Sequence, residues 1–242
     1  MSASAAEVTT SIGRAMARVT SSEAREQVVA ALCSPDRPVV VAFANAHACN
    51  VAGRDPAFHA DLLGADVLLR DGVGAALLCR RLGDDPGLNM NGTDLIPELI
   101  DRYAGRTVAL LGTSDPWLGN AARRVGSRAR VVLVQDGFAA EDEYVEALRR
   151  EPAELVVLAM GMPRQERVAV ALRAGLDRPC VIVCGGAILD FLGGRVSRAP
   201  LVMRRLGIEW AWRLVLEPRR MYKRYVVGNA VFLARLVNVH PV

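Results

Sequence analysis

The sequence lacks the features that mark membrane-spanning and secreted proteins. Its longest uncharged apolar runs, residues 179–189 and 225–234, fall well short of the roughly 20 residues that a membrane-spanning helix needs. The N-terminus has no apolar segment of the kind found in secretory signals, and it carries Glu7 early. We therefore expect neither a membrane-spanning helix nor a secretory signal.

The sequence is also poor in residues that form disulfide frameworks or metal sites. Its five cysteines are odd in number and lack the close spacing of a disulfide framework. We therefore interpret them as small apolar residues of a protein in a reducing cytoplasm. Its three histidines show no metal-ligand spacing, and no pair of carboxylates is spaced to bind a metal. We expect no metal site and no cofactor.

The composition is that of an ordered globular protein with a basic C-terminus. The 242 residues are 52% hydrophobic and 23% charged, which excludes global disorder. Residues 204–242 hold eight Lys/Arg against Glu209 and Glu217, a net charge of +6, whereas the remaining chain carries −2 of the total +4. A segregated basic segment indicates an anionic partner: nucleic acid, anionic lipid or a phosphorylated ligand. A solvated helix face is the alternative.

Short apolar runs alternate with amphipathic stretches along residues 35–198. The runs are continuous rather than alternating, which indicates strands buried on both faces, as in parallel α/β sheets. We predict a Rossmann-like open, mainly parallel sheet with helices on both faces over 35–198, hereafter the α/β domain. A lead or helix over 1–34 precedes it, and a basic helical segment over 199–242, hereafter the appendage, follows it. The predicted strands are 39–44, 107–111, 131–134, 155–160 and 180–183, and the predicted helices are 72–82, 94–103, 117–126, 141–149 and 163–174.

Polar loops at the strand ends are the candidate site, because ligands of open parallel sheets bind at the carboxyl ends of the strands. The loop RDGVG presents Asp71, which either caps the following helix or accepts a proton from a sugar hydroxyl. Asn45 ends the preceding strand and is placed to share the same pocket. In NGTDL, capping of the helix by Asp94 is favoured over a role in the site.

Two further loops suit a nucleotide or sugar. LGTSDPW follows a predicted strand, and its turn at Gly112 and Thr113 presents backbone N–H groups to a phosphate or ribose, although an ordinary strand-to-helix turn has the same form. It matches neither a dinucleotide fingerprint nor a P-loop. In AMGMPRQE, Gly161 permits close backbone approach, and Gln165 offers a donor and an acceptor to a uracil or sugar edge.

The appendage interleaves aromatic residues with arginines. Arg213, Glu217, Arg220 and Arg224 would share one face of a continuous helix, unless Pro218 divides it. Tryptophan and arginine together suit a membrane interface, and they also suit a lid over a phosphate. A plain core helix pair is the remaining alternative.

Six motifs in this order resemble the WecG/TagA/CpsF glycosyltransferase family, from about residue 39 to 225. The resemblance implies an inverting transferase that moves a sugar from a nucleotide diphosphate sugar to a polyprenyl-diphosphate-linked sugar in cell-surface polysaccharide synthesis. The donor is then UDP-linked, of the UDP-N-acetylmannosamine or UDP-glucose type. The motifs are RDGVG, NGTDL, VALLGTS, VLAMGMPRQE, GGAILDFLGGRVSRAP and GIEWAWRLVLEPRRMYKRY.

The resemblance also implies where the protein acts and with what. We expect a cytoplasmic protein, peripheral on the inner face of the cell membrane, whose partners are the nucleotide-sugar donor, the lipid-linked acceptor and the anionic membrane surface. No nucleic acid is implied, and a homo-oligomer stays open.

Site residues follow from the resemblance position by position. Asp71 matches the catalytic base, Asn45 the polar strand-end residue and Gln165 the glutamine of the family signature. Basic positions of the appendage are matched by Arg213, Arg220 and Lys223 or Arg224. We include as further substrate-binding candidates Gly72, Asn91, Thr93, Gly112, Thr113 and Gly161.

Two positions depart from the family pattern. Phe43 stands where members often have Thr, and Asn89 stands where many have Arg. Both lie near the expected sugar pocket, so the sugar is not inherited from the resemblance. They motivate one alternative, a non-catalytic membrane-associated binding protein. A nicotinamide-dependent oxidoreductase is a second alternative, although the chain lacks the glycine fingerprint and the ribose-binding acid of that class.

Overall fold

The computed structural model describes residues 4–240, apart from the side chains of Arg205 and Arg220. Its centre is one sheet of six parallel strands in the order β2-β1-β6-β5-β3-β4. The Val-rich runs form the inner strands because both of their faces are covered by helices. The strands are β1 Pro38–Ala44, β2 Val67–Arg70, β3 Thr107–Gly112, β4 Arg130–Gln135, β5 Leu155–Ala159 and β6 Cys180–Cys184.

Helices cover both faces of this sheet, which confirms the predicted fold class. One face is packed by α1, α3, α4, α5, α8, α9 and α14, and the other by α2, α6, α7 and α10. The helices up to the end of β6 are α1 Ala5–Ala15, α2 Ser22–Cys33, α3 Ala46–Ala52, α4 Pro56–Leu63, α5 Gly72–Arg81, α6 Gly92–Arg102, α7 Trp117–Gly126, α8 Glu141–Arg150 and α9 Arg164–Gly175. The helices that follow are α10 Ile188–Leu192, α11 Leu201–Arg205, α12 Glu209–Leu216, α13 Pro218–Met221 and α14 Gly228–Leu236, with a π-helix over Tyr222–Val227.

The N-terminal segment is more ordered than a lead. The α1 helix begins at a capping box in which Ser4 and Glu7 exchange hydrogen bonds, and it packs on one face of the sheet. The α2 helix packs on the other face. The described residues before β1 therefore contribute two helices, one on each face of the sheet.

The appendage is a chain of short helices rather than one continuous helix. It divides at Glu217 and Pro218, as the proline allows, and the π-helix that follows was not predicted. No helix within residues 4–240 is long and apolar enough to cross a membrane.

The last helix returns to the α/β domain and packs against α3 and α5. The Asn50 side chain donates to the Gly228 carbonyl at 2.7 Å, and Arg235 donates to the Cys49 carbonyl at 3.1 Å. Phe232 and Leu236 are buried in the core on that face of the sheet. The appendage is therefore fixed at its C-terminal end, and its middle crosses the carboxyl edge of the sheet.

Candidate active site

A cavity of about 550 Å³ lies at the carboxyl edge of the sheet. It is lined by loops that follow all six strands and is covered by the appendage. The helices after β5 and β6 pack on opposite faces of the sheet, and such a divergence opens a crevice between neighbouring strand ends. The strand-end loops predicted to carry the site therefore converge.

Asp71 and Asn45 form a hydrogen-bonded pair in this cavity. Asn45 caps α3 because its Oδ1 accepts from the Ala48 amide at 3.0 Å, and its Nδ2 then donates to Asp71 Oδ2 at 3.1 Å. The Asp71 amide donates to the Ala44 carbonyl at 2.9 Å. Asp71 stands at the N-cap position of α5, yet its side chain makes no hydrogen bond to that helix. The capping alternative is therefore wrong, and the carboxylate is oriented by Asn45 instead.

The surroundings of Asp71 make it a stronger base than an exposed aspartate. Desolvation raises its pKa, while the hydrogen bond from Asn45 and the charges of Arg224 and Arg70 oppose that rise. Nearby, burial and the charge of Arg224 lower the pKa of His47 to about 4, so this imidazole is neutral at physiological pH.

The loop that carries Asp71 is fixed by two side chains from its own region. The buried Arg70 guanidinium donates to the carbonyls of Leu88, Gly72 and Gly87. Asn89 Oδ1 accepts from the Gly72 amide at 2.8 Å, where the backbone has a φ of +81° that favours glycine. Asn89, although it departs from the family pattern, therefore has a structural role in this chain, because its side chain accepts a hydrogen bond from Gly72, the residue next to Asp71.

Phe43, the other departure, is a buried part of the cavity wall. Its ring lies so close to Gly92 that a Cβ there would be 3.1 Å from Phe43 Cε2. Thr93 also lines the cavity. The site beside Asn45 and Asp71 is consequently apolar on the side of Phe43.

The NGTDL turn differs from the prediction. Asn91 caps α6, since its Oδ1 accepts from the Asp94 amide at 2.9 Å, and its Nδ2 donates to Asp94 Oδ2 at 2.8 Å. Asp94 lies in the first turn and pairs with Arg198 at 2.5 Å. The expectation that Asp94 is the cap is therefore wrong, and Asn91 acts behind the cavity wall rather than in its lining.

Gly112 and Thr113 shape the turn after β3. Gly112 has a φ of +143°, and a Cβ there would lie 2.3 Å from the Ala159 carbonyl oxygen, so only glycine fits this approach of β3 to β5. Thr113 has a φ of +46°, and its hydroxyl donates to Asp190 Oδ1 at 2.6 Å. Thr113 lines the cavity and Gly112 supports it from behind.

Gln165 joins two loops of the cavity floor. Its Oε1 accepts from the Gly186 amide at 2.9 Å, and its Nε2 donates to Glu166 Oε1 at 2.8 Å. Glu166 is buried, which raises its pKa to about 7. Gln165 and Gly161 both line the cavity, but this geometry leaves only part of the Gln165 amide for a ligand.

Arginines of the appendage supply the positive charge of the cavity. Arg213 and Arg224 line it as predicted, whereas Lys223 is exposed and does not. The predicted Arg220 side chain lies outside the described residues. Arg195 and Arg204, which were not predicted, line the cavity as well.

The cavity arginines are only partly neutralised by protein groups. Arg213 pairs with Glu217 at 3.1 Å and lies over the Phe191 ring at 5.0 Å. Among the described side chains, Arg204 and Arg224 form no ion pair. The buried Nε atoms of Arg204, Arg213 and Arg224 have no hydrogen-bond partner within the described part of the chain. Arginine side chains that line a cavity and lack a carboxylate partner, as Arg204 and Arg224 do among the described side chains, are suited to bind an anion such as a diphosphate.

No group of three or more His, Cys, Asp or Glu residues within the described part of the chain is placed to bind a metal ion. Glu209 is a further carboxylate that lines the cavity, and its Oε1 lies 3.6 Å from Arg198 Nε.

The loop after β6 and the helix α10 that follows it were not among the predicted site elements. Gly185 and Gly186 of the loop and Asp190 of α10 line the cavity, and the paired glycines after a Val-rich run were the available signal. Arg195, Arg204 and Glu209 are brought in by packing between distant segments, for which sequence spacing gives no signal.

Known proteins with similar sequences were compared with this chain. Residues 9–240 match the profile of the family described as "Glycosyl transferase WecG/TagA/CpsF family". The N-acetylglucosaminyldiphosphoundecaprenol N-acetyl-beta-D-mannosaminyltransferase of Bacillus spizizenii is 26% identical over 175 residues, which cover 70% of this chain and 68% of that relative. The protein of the same name from Bacillus subtilis is 25% identical over 187 residues, which cover 75% of this chain and 73% of the relative.

Proposed function

Because the chain belongs to the WecG/TagA/CpsF glycosyltransferase family, we propose that it transfers a sugar from a nucleotide diphosphate sugar to a polyprenyl-diphosphate-linked sugar with inversion of the anomeric carbon. The observation that carries the proposal is the cavity itself, which combines the Asp71–Asn45 pair with arginines that have unpartnered nitrogens. Family membership favours a glycosyltransferase over the oxidoreductase and the non-catalytic binding protein.

Asp71 is the general base of the proposed reaction. The acceptor hydroxyl donates its proton to the Asp71 carboxylate while its oxygen attacks the anomeric carbon of the donor. The bond between that carbon and the diphosphate oxygen breaks in the same step, so a single displacement inverts the configuration. Asn45 keeps the carboxylate oriented, and the raised pKa of Asp71 increases its strength as a proton acceptor.

The arginines of the cavity stabilise the leaving nucleotide diphosphate. Charge builds up on the diphosphate as its bond to the sugar breaks, and fixed cations at that place lower the barrier. Arg204, Arg213 and Arg224 carry this role because their side chains line the cavity.

The names of the relatives support the choice of acceptor. Both are named as transferring N-acetylmannosamine to N-acetylglucosaminyldiphosphoundecaprenol. We assign this chain the same acceptor class, with a UDP-linked donor of the N-acetylhexosamine or hexose type. Phe43 makes the wall beside Asp71 apolar, at a position where family members often have Thr. The donor sugar is therefore identified by assay rather than taken from the relatives.

The appendage attaches the enzyme to the inner face of the cell membrane in this proposal. Its exposed surface combines arginines with apolar side chains, and such segments bind anionic bilayer surfaces. The exposed apolar side chains that carry this interpretation are Leu201, Val202, Leu206, Leu216 and Tyr222.

A transfer assay tests the proposed function directly. Radiolabelled UDP-sugars are incubated with N-acetylglucosaminyl diphosphate attached to a prenyl chain, and the product is analysed for chain linkage and anomeric configuration. We expect a disaccharide lipid with inverted configuration from at least one UDP-sugar. Absence of transfer from every UDP-sugar, or retention of configuration, would contradict the proposal.

A further inference from the structure

Exposed apolar side chains continue outward from the cavity along α5 and α14. Val73 and Leu77 of α5 are 46% and 37% exposed, and Leu233 of α14 is 51% exposed. All three also line the cavity. Val73 is only two positions after Asp71, so this apolar surface begins beside the proposed base.

The two helices run alongside each other and give this surface the form of a groove. At one end, a Cβ on Gly74 would lie 3.4 Å from the Phe232 ring. At the other end, Arg81 donates to the carbonyls of Leu236 at 3.0 Å and Val237 at 2.9 Å. Val73, Leu77 and Arg81 follow each other at intervals of four residues and share one stripe of α5, whose apolar part from Val73 to Leu77 extends about 6 Å at 1.5 Å per residue.

On the other side, Leu233 of α14 is exposed, and so is Val237, just beyond the end of that helix. The surface between the two helices is therefore apolar at Val73, Leu77 and Leu233, and these three side chains also line the cavity that holds Asp71 and the arginines. Apolar surface of this kind beside a polar cavity marks a binding site for a molecule with a charged head and an apolar tail.

We propose that the groove between α5 and α14 binds the first isoprene units of the polyprenyl-diphosphate-linked acceptor. The proposal rests on the proposed function and names how the same site holds its acceptor. The prenyl chain is joined directly to the diphosphate, so a groove that opens beside the arginines and Asp71 receives the chain while the sugar hydroxyl stays in the cavity. Continuity with the cavity favours this occupant over a bilayer lipid or a second copy of the chain.

Leu77→Gln tests the groove, with Leu63→Gln as the matched control. Both leucines are 37% exposed on helices, but Leu63 lies on α4 and does not line the cavity. Two acceptors carry the same N-acetylglucosaminyl diphosphate, one on a farnesyl chain and one on an ethyl group. Both are assayed in solution without vesicles, so membrane binding does not enter the result.

We expect the wild-type enzyme to have a lower KM for the farnesyl acceptor than for the ethyl acceptor. Leu77→Gln should reduce this preference about tenfold, a loss of about 1.4 kcal/mol in binding the chain, whereas Leu63→Gln should keep it. Leu233→Gln, on the other side of the groove, should reproduce the effect of Leu77→Gln.

Several results would overturn the groove while leaving the transferase proposal intact. One is a wild-type enzyme that uses both acceptors with the same KM, and another is a Leu77→Gln variant whose preference matches that of Leu63→Gln. If Leu77→Gln keeps the preference for the farnesyl acceptor but binds vesicles more weakly, the surface contacts the bilayer. If it keeps that preference but self-associates less, the groove is an interface between copies of the chain. Failure of the wild type to modify either acceptor would contradict the proposed function itself.

Discussion

In the α/β domain Asp71 is held by a network of hydrogen bonds, whereas in the appendage the arginines that face the cavity have buried nitrogens without partners. The first arrangement fixes a proton acceptor before any substrate binds. The second places cationic side chains along the cavity, on short helices that bury few residues between Leu201 and Val227. The difference indicates a division of labour, with proton transfer assigned to the α/β domain and binding of the diphosphate to the appendage.

Removal of the appendage should have the largest effect. A chain ending before Arg204 loses the arginines of the cavity roof, and it also loses Phe232 and Leu236, which are buried against α3 and α5. Burial of each such side chain contributes roughly 1.5–3 kcal/mol, so we expect loss of transfer together with a lower melting temperature. Thermal unfolding and the transfer assay measure the two effects. A truncated chain with full activity on a polyprenyl acceptor would refute the role of the appendage.

Asp71→Asn should have the next largest effect. The variant keeps the shape of the side chain but removes the proton acceptor, so transfer should fall by roughly 10²–10⁴-fold. Glu209→Gln is the control, because Glu209 also lines the cavity but lies beside Arg198. Initial rates at saturating substrates distinguish the two variants. Greater loss in Glu209→Gln than in Asp71→Asn would move the base to Glu209.

Arg224→Ala should reduce transfer by a smaller factor. A charge-assisted hydrogen bond to the diphosphate contributes roughly 1.5–3 kcal/mol, which corresponds to about tenfold to a hundredfold in rate. Arg219→Ala is the control, since Arg219 belongs to the same segment but is exposed and does not line the cavity. Equal rates for the two variants would argue against a phosphate contact at Arg224.

Chelation should have the smallest effect. The cavity offers arginines for the diphosphate, so we expect transfer rates in EDTA to stay within about twofold of the untreated enzyme. Loss of activity in EDTA that Mg²⁺ or Mn²⁺ restores would show that a metal ion takes part.

The sheet and the position of Asp71 could be predicted because local patterns determine them. Val-rich runs specify buried strands in α/β proteins, and Asn45 follows one of them, whereas the strand before Asp71 was not among those predicted. Both side chains meet at the carboxyl edge of the sheet. The strand β2, Val67–Arg70, is only four residues long and was recognised only through the loop that follows it.

Features that depend on packing between distant segments could not be predicted. Asn91 and Asp94 are both good capping residues, and only the backbone geometry decides that Asn91 is the cap. Arg204 reaches the cavity because the appendage folds back across it, and Arg195 reaches it from the segment that follows α10. The Gln165 amide was predicted to face a ligand, yet it binds Gly186, which is 21 positions away along the chain.

Binding of UDP to Asp71→Asn and Arg224→Ala, measured by calorimetry against the wild type, tests the division of labour most directly. If the α/β domain supplies the proton acceptor and the appendage binds the diphosphate, Asp71→Asn should bind UDP with an affinity close to that of the wild type. Arg224→Ala should bind UDP about tenfold or more weakly. Normal UDP binding by Arg224→Ala together with weakened binding by Asp71→Asn would contradict the account.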